Sequence, residues 1–535
     1  AVAKCGEVSS SSTHVACVAC IASMAESKSF ALRGESLATA ARTLLHLSVA
    51  ALSDDDQVAA KAALVRVINE AFARAEPSFT SRDGESDEAN EANETNESIE
   101  SSDECDALLL TLTLCAIAAK PLDGSNDEYK SHSRVLAMDL IRQLLEGPVA
   151  GAWLARWRVH LRKPLCVAIL RAGAGGLDRD GSVQALETRY LGVAGSNPGG
   201  VVGSGNPSPK VAKALAPLRA LARAAFGVVI IKARKSYKRE ISALYAPLAL
   251  APLEAPAAQS NADGSNTDPD HQLVALRLVR KLASDPQVLV DVFVNYDCDL
   301  NGENLYERTL GALAGAMTPG KGPKQAVRNG ALQCVLAMVQ SLRVWHARGE
   351  AGGGELGESD ESKENGGSLR KDPATPVKDT SSGEKADAAD ADSEANKFHQ
   401  MKARKASVEA AVAGFNARPK LTSLESCPDL KTDDPTQVAS FLLTAKGLDK
   451  TAIGELLGGF DDDEVAVMRA FVESHDFAQD DFDVALRRFM SSFRLPGEAQ
   501  KIDRLMEAFA ARYCACNPDV FKDPDAAYVL AFAVI

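Results

Sequence analysis

Residues 493–504 read FRLPGEAQKIDR: a Pro-Gly pair, a glutamate, and then a run with helical spacing. Beyond it Ile502, Leu505, Met506, Phe509 and Tyr513 recur at steps of three and four, the period of an amphipathic helix. The spacing predicts a helix starting at about Glu498. Residues one and two turns apart share a helical face, so Glu498 aligns with Ile502 and Leu505 and its carboxylate is expected to project along the apolar stripe. An acid in a first turn also complements the helix dipole by about 0.3–1 kcal/mol, and local physics alone accepts that plainer reading.

The helical period extends outward from this stretch. LATAARTLLHL and AAKAALVRVINEAFARAE fall within 35–76; Leu140, Ile141, Leu144 and Leu145 line a helix closed by Gly147-Pro148; and Val274, Leu278 and Leu282 line another. Asp285 reads as an N-cap with Pro286 at the first helical position. Strand alternation is nearly absent, so the fold class is all-α. Long helices with short connections predict an armadillo-like α-solenoid from about 106 to 345, without a fixed repeat period. Five segments follow: helical 1–76, an acidic solvated linker 77–104 opened by Pro77, helical 105–346, an acidic low-complexity linker 347–397, and a last helical unit 398–535.

Composition narrows the function classes. A chain of 535 residues with 46% hydrophobic content has apolar material for more than one core, and a net charge of −14 disfavours nucleic acid and anionic lipid as partners. Eleven irregularly spaced cysteines indicate neither a disulfide framework nor a zinc site, and fit a reducing cytosol. The early run VACVACIASMA imitates a signal-peptide core with an unsuitable lead-in, and no apolar stretch reaches the roughly 18 residues of a membrane span. The chain reads as a fragment at both ends.

Three motifs are decoys. Asp297, Asp299, Asn301 and Gly302 match the first half of a calcium loop, but Arg308 stands where a bidentate glutamate is required and Asn304 where an aliphatic residue is usual. Gly315 through Lys321 space like a phosphate loop, yet Gly322 replaces the magnesium-holding hydroxyl and Pro319 removes a cradle N–H. Cys514 and Cys516 lack further ligands at metal spacing. No metal or cofactor is expected.

With these residues in view, FRLPGEAQKIDR followed by LMEAFAARYCACNPDVF and DAAYVLAF closely resembles the Sec7 domain of Arf guanine-nucleotide exchange factors. FNARPK (415–420), VASFLLTAKGLDKTAIGELLG (438–458) and FDVALRRFMSSF (482–493) precede it in the family's order. FVNYDCDLNGENLYER (293–308) resembles the homology box upstream of that domain in the large Golgi members, and 35–76 is similar to the end of their dimerisation and cyclophilin-binding domain. The box and its continuation are closest in character to the brefeldin-inhibited, trans-Golgi subfamily. The resemblance also implies that the second signature stretch of the exchange domain, and part of the dimerisation domain, are missing.

The resemblance implies a function. Glu498 becomes the "glutamic finger", presented by a tight turn at Pro496-Gly497 to the nucleotide site of a GDP-bound Arf-family GTPase. Ile502, Leu505 and Met506 are then either core or contacts for the GTPase, and Asp503 either pairs with a basic residue there or is simply solvated. Asn295, Tyr296, Asp297 and Asp299 become an intramolecular docking motif between the two N-terminal regions, or else a capped helix–helix turn. Phe532 and Ala533 occupy brefeldin-site positions and carry the pair typical of resistant relatives. The implied protein is a homodimer through its N-terminal domain, cytoplasmic and peripherally bound to Golgi and trans-Golgi membranes, promoting coat recruitment. The alternative is a non-catalytic helical scaffold.

Overall fold

The computed structural model describes residues 11–27, 32–51, 53–80, 101–120, 128–173, 209–254, 269–318, 325–351 and 384–535. No strand occurs among the described residues, so the fold is all-α as the sequence predicts. The chain divides into two compact units, Ala1–Phe293 with Asn304–Gly352, and Val294–Glu303 with Gly353–Ile535.

The first unit contains α1 (Ser11–Glu26), α2 (Gly34–Ala50), α3 (Asp54–Thr80), α4 (Ser102–Ala118), α5 (Glu128–Glu146), α6 (Ala150–Arg156), α7 (Arg158–Gly173) and α8 (Pro209–Ala233). It continues through α9 (Lys238–Tyr245), α10 (Ala251–Glu254), α11 (Pro269–Ala283), α12 (Pro286–Val292), α13 (Leu305–Met317) and α14 (Gln325–Ala351). Helix starts follow local chemistry: the Ser101 side chain accepts from Glu104 N, and Asp285 accepts from Gln287 N and Val288 N ahead of Pro286. Helices pack on others near them in the chain, α3 on α2 and α4, α8 on α5 and α11, and α11 on α14. Buried Glu104 is held by Arg156 at 2.6 Å and Trp157 Nε1 at 2.8 Å, which satisfies its charge where water cannot reach. Buried Arg223 donates to the carbonyls of Leu248, in the π-helical turn Ala246–Leu250, and Gly173, at the end of α7.

Two expected boundaries shift. Pro77 does not end its helix; α3 continues to Thr80 and buries Phe79, whose ring meets Trp157 edge-on at 5.1 Å. Apolar burial there outweighs the hydrogen bond that the proline removes. Helix α15 (Glu384–Ala417) starts within the stretch expected to be linker, because EKADAADADSEANK is rich in strong helix formers.

The second unit continues from α15 through a 3₁₀ turn (Leu421–Leu424), α16 (Pro435–Thr444), α17 (Lys450–Leu457), α18 (Asp462–Glu473), α19 (Phe482–Ser491), α20 (Ala499–Cys516) and α21 (Pro524–Val534). Its core is an aromatic cluster in which Phe489 stands 5.3 Å from Phe509 and 5.0 Å from Phe493, with Phe477 5.2 Å from Phe509.

Candidate functional site

The loop between α19 and α20 is fixed at its apolar positions and free at its tip. Phe493 and Pro496 are buried, whereas Gly497 and Glu498 are exposed. Backbone contacts reinforce the anchoring: Arg494 N donates to Lys450 O at 2.9 Å and Lys450 Nζ to Ser491 O at 2.6 Å. Gly454 of α17 permits that approach, since a Cβ there would stand 1.8 Å from Arg494 O. Pro496-Gly497 forms a bend, and Gly497 has neither a positive φ nor a close neighbour to require glycine.

Glu498 is the N-cap of α20, one residue ahead of the expected first turn, with extended backbone and no side-chain cap bond. Its carboxylate, 64% exposed, pairs with Lys501 at 3.0 Å instead of capping its own helix. Lys501 is largely buried, its stem lying where a Cβ on Gly458 would meet Cδ at 2.8 Å. Arg504 donates to Gly458 O and Gly459 O, both at 2.7 Å, and stacks its guanidinium 4.4 Å from the ring centroid of exposed Phe460. The end of α17 therefore grips the basic residues of α20 and fixes the helix that carries Glu498.

The other predicted residues separate. Leu505 and Met506 are wholly buried in the core; Ile502 is half-buried. Exposed Asp503 accepts from the Tyr528 hydroxyl of α21, a bond that raises the pKa of that phenol. Phe532 and Ala533 are both exposed on α21, which packs on α20.

The middle of the homology box, Val294–Glu303, belongs to the second unit. Tyr296 and Asp297 are buried while Asn295 is exposed, and the Asp299 carboxylate caps Asn301 N at 2.9 Å. Lys405 of α15, itself buried, donates to Tyr296 O at 2.7 Å and Gly302 O at 2.6 Å, and Lys402 stands 3.5 Å from Asp297. Burial lowers the pKa of Lys405. The Tyr296 carbonyl and the Asp297 carboxylate are thus engaged by α15, while Asn295 is exposed. Asp297 is likewise engaged by a cation where a calcium ligand would be free. The phosphate-loop decoy from Pro319 onward lies outside the described residues.

Reading the sequence missed Gly454, Lys501, Arg504 and Lys405. The glycines of KTAIGELLGGF were a usable signal, because glycine inside an apolar helical pattern marks close backbone approach. The lysines carried none, being ordinary surface residues by composition.

Comparison with known proteins fits this geometry. Residues 404–535 match the Sec7 domain and residues 211–305 the HUS domain of Mon2/Sec7/BIG1-like proteins. Over 455 residues the chain is 31% identical to brefeldin A-inhibited guanine nucleotide-exchange protein 2 of Arabidopsis thaliana, covering 80% of this chain and 22% of that protein. It is 28% identical over 468 residues to protein 1 of that name from Homo sapiens, with the same coverages of 80% and 22%. The chain thus spans about a fifth of the length of the curated relatives it matches. Among solved structures, the Sec7p catalytic domain is 46% identical over 23% of this chain and 70% of its own, at a TM-score of 0.23. A Sec7 domain bound to ARF1-GDP and brefeldin A is 32% identical over 25% of this chain and 70% of that one, at a TM-score of 0.24. The chain therefore carries a Sec7 domain and a Mon2/Sec7/BIG1-like HUS domain, and is similar along four fifths of its length to the brefeldin A-inhibited guanine nucleotide-exchange proteins.

Proposed function

We propose that this chain is part of a guanine-nucleotide exchange factor for an Arf-family GTPase, with Glu498 as the residue that expels GDP. The observation that carries this reading is an exposed carboxylate at the tip of a loop whose Phe493 and Pro496 are buried. Brought beside the bound nucleotide, it competes with the β-phosphate for the GTPase's phosphate-binding lysine and repels phosphate and Mg²⁺. Like charges about 4 Å apart at an effective dielectric of about 20 cost about 4 kcal/mol, roughly a thousandfold in GDP release. No covalent bond changes, so the activity is exchange and not bond chemistry.

Asp503, Gly497 and Ile502 complete the proposed contact zone, with buried Pro496 holding the loop beneath it. The remaining proposals are those of the resemblance: an armadillo-like stack in 105–346, homodimerisation through 1–76, and peripheral action at Golgi and trans-Golgi membranes in coat recruitment. Chain-order helix packing supports the first of these. Phe532 and Ala533 lack the hydroxyls of Tyr and Ser, so brefeldin A is proposed to inhibit this chain at least tenfold less than its Phe532→Tyr, Ala533→Ser variant.

The deciding experiment measures fluorescent-GDP release from an Arf-family GTPase. With the exchange domain completed by its second signature stretch, the protein should accelerate release, and Glu498→Lys should bind the GTPase without releasing nucleotide. Release by that variant at the wild-type rate would overturn the assignment. Binding without release by the unmutated chain would support the helical scaffold.

A further inference from the structure

Nearly every ring of the second unit is hidden, and one that is not stands beside the finger. Among the described phenylalanines and tyrosines of that unit only Phe460 and Phe532 are exposed, Phe460 at 57%. Phe460 lies on the short connection between α17 and α18. Gly458 and Gly459 before it let that backbone lie close to α20 and α18: a Cβ on Gly458 would meet Lys501 Cδ, and one on Gly459 would stand 1.8 Å from Glu464 Oε2. Arg504 donates to both glycine carbonyls and stacks on the Phe460 ring. The ring is therefore held in one place while more than half of the residue faces water.

Its neighbourhood is that of Glu498. Lys501 Nζ stands 3.0 Å from Glu498 Oε1 and 5.8 Å from the centre of the Phe460 ring, so ring and carboxylate are no farther apart than the sum of those two distances. A protein interface of ordinary size takes about 800 Å² from each partner, a disc of about 16 Å radius, roughly twice that separation. A partner centred on Glu498 covers Phe460 as well. We propose that Phe460 is a contact and specificity residue for the GTPase, its ring packing on an apolar patch that borders the nucleotide site; this rests on Glu498 being the residue that enters that site. A side chain with two torsions, already stacked on a guanidinium, loses little freedom on docking, and aromatic residues near the centre of an interface carry much of its affinity.

The test measures GDP release from an Arf-family GTPase, at varied concentrations of its GDP complex, by the protein with its exchange domain completed. Phe460→Ala should raise KM at least tenfold with kcat within about threefold, and Phe460→Tyr, which keeps the ring, should hold KM within about threefold of wild type. A Phe460 that serves only to hold Arg504 would act through the placement of Glu498. Phe460→Ala would then lower kcat at unchanged KM, and that result would overturn the proposal. If Phe460→Ala loses helical circular dichroism, a benzophenone side chain at position 460 of the Glu498→Lys protein should cross-link to the bound GTPase. A complex that forms without a cross-link would likewise overturn it. Failure of the exchange activity itself looks different: the unmutated protein would leave GDP release at its spontaneous rate, and the contact assigned to Phe460 would fall with it.

Discussion

Lys501 Nζ stands 3.0 Å from Glu498 Oε1, so the carboxylate proposed to repel phosphate is held by a neighbouring ammonium. The pair is partly exposed, and such pairs contribute about 0–1 kcal/mol to stability. Its effect on phosphate is different, because the ammonium offsets the repulsion that Glu498 exerts. Lys501→Met should therefore speed GDP release from an Arf-family GTPase by about 2–5-fold at low salt, with the gain fading once screening shortens the Debye length to about 3 Å near 1 M. Slower release at every salt concentration would show that Lys501 aids the finger.

Gly454 admits the Arg494 backbone to α17, and a methyl group there would overlap Arg494 O. Gly454→Ala should destabilise the second unit by about 1–3 kcal/mol through displacement of the finger loop. Hydrogen exchange should accelerate most in residues 492–498. Unchanged protection of that loop would mean that the two backbones part without cost.

Lys405 gives its protons to two carbonyls, Tyr296 O and Gly302 O, in a place that burial keeps from water. Lys405→Met keeps the length of the stem and leaves both acceptors unpaired, at a cost of about 1–3 kcal/mol. Limited proteolysis should then cut within 298–304, which the wild-type chain should resist. A digestion pattern identical to wild type would refute the tether.

His271 Nε2 lies 2.5 Å from Arg223 Nη2, and burial together with the guanidiniums of Arg223 and Arg219 lowers the imidazole pKa to about 3. The folded state thus keeps His271 neutral while the unfolded chain protonates near pH 6.5. Its contribution is complete above about pH 6.5 and is lost as pH falls toward 3, at up to about 1.4 kcal/mol per pH unit. The three tryptophans, Trp153, Trp157 and Trp345, all lie in the first unit, so their fluorescence reports its unfolding alone. Urea midpoints should fall between pH 6.5 and 4 more steeply for wild type than for His271→Gln. Parallel pH dependence would place the titration elsewhere.

The sequence by itself determined the all-α class, the start of α12 at Asp285-Pro286 and the start of α20 behind Glu498. Those depend on short-range physics: the three-to-four period of Ile502, Leu505, Met506 and Phe509, the capping chemistry of Asp285, and the Pro-Gly pair ahead of Glu498. Tertiary structure alone decided what each neighbour does. Pro77 continues a helix because Phe79 finds Trp157, and Leu505 and Met506 belong to the buried cluster that also holds Phe471 of α18 and Phe489 of α19. Lys405 and Lys501 became structural through partners 103 to 109 residues away in one case and three in the other. An ammonium reads alike in sequence whether it faces water or a buried carbonyl. Its role depends on what the folded chain brings within about 3 Å, a distance that local periodicity does not encode.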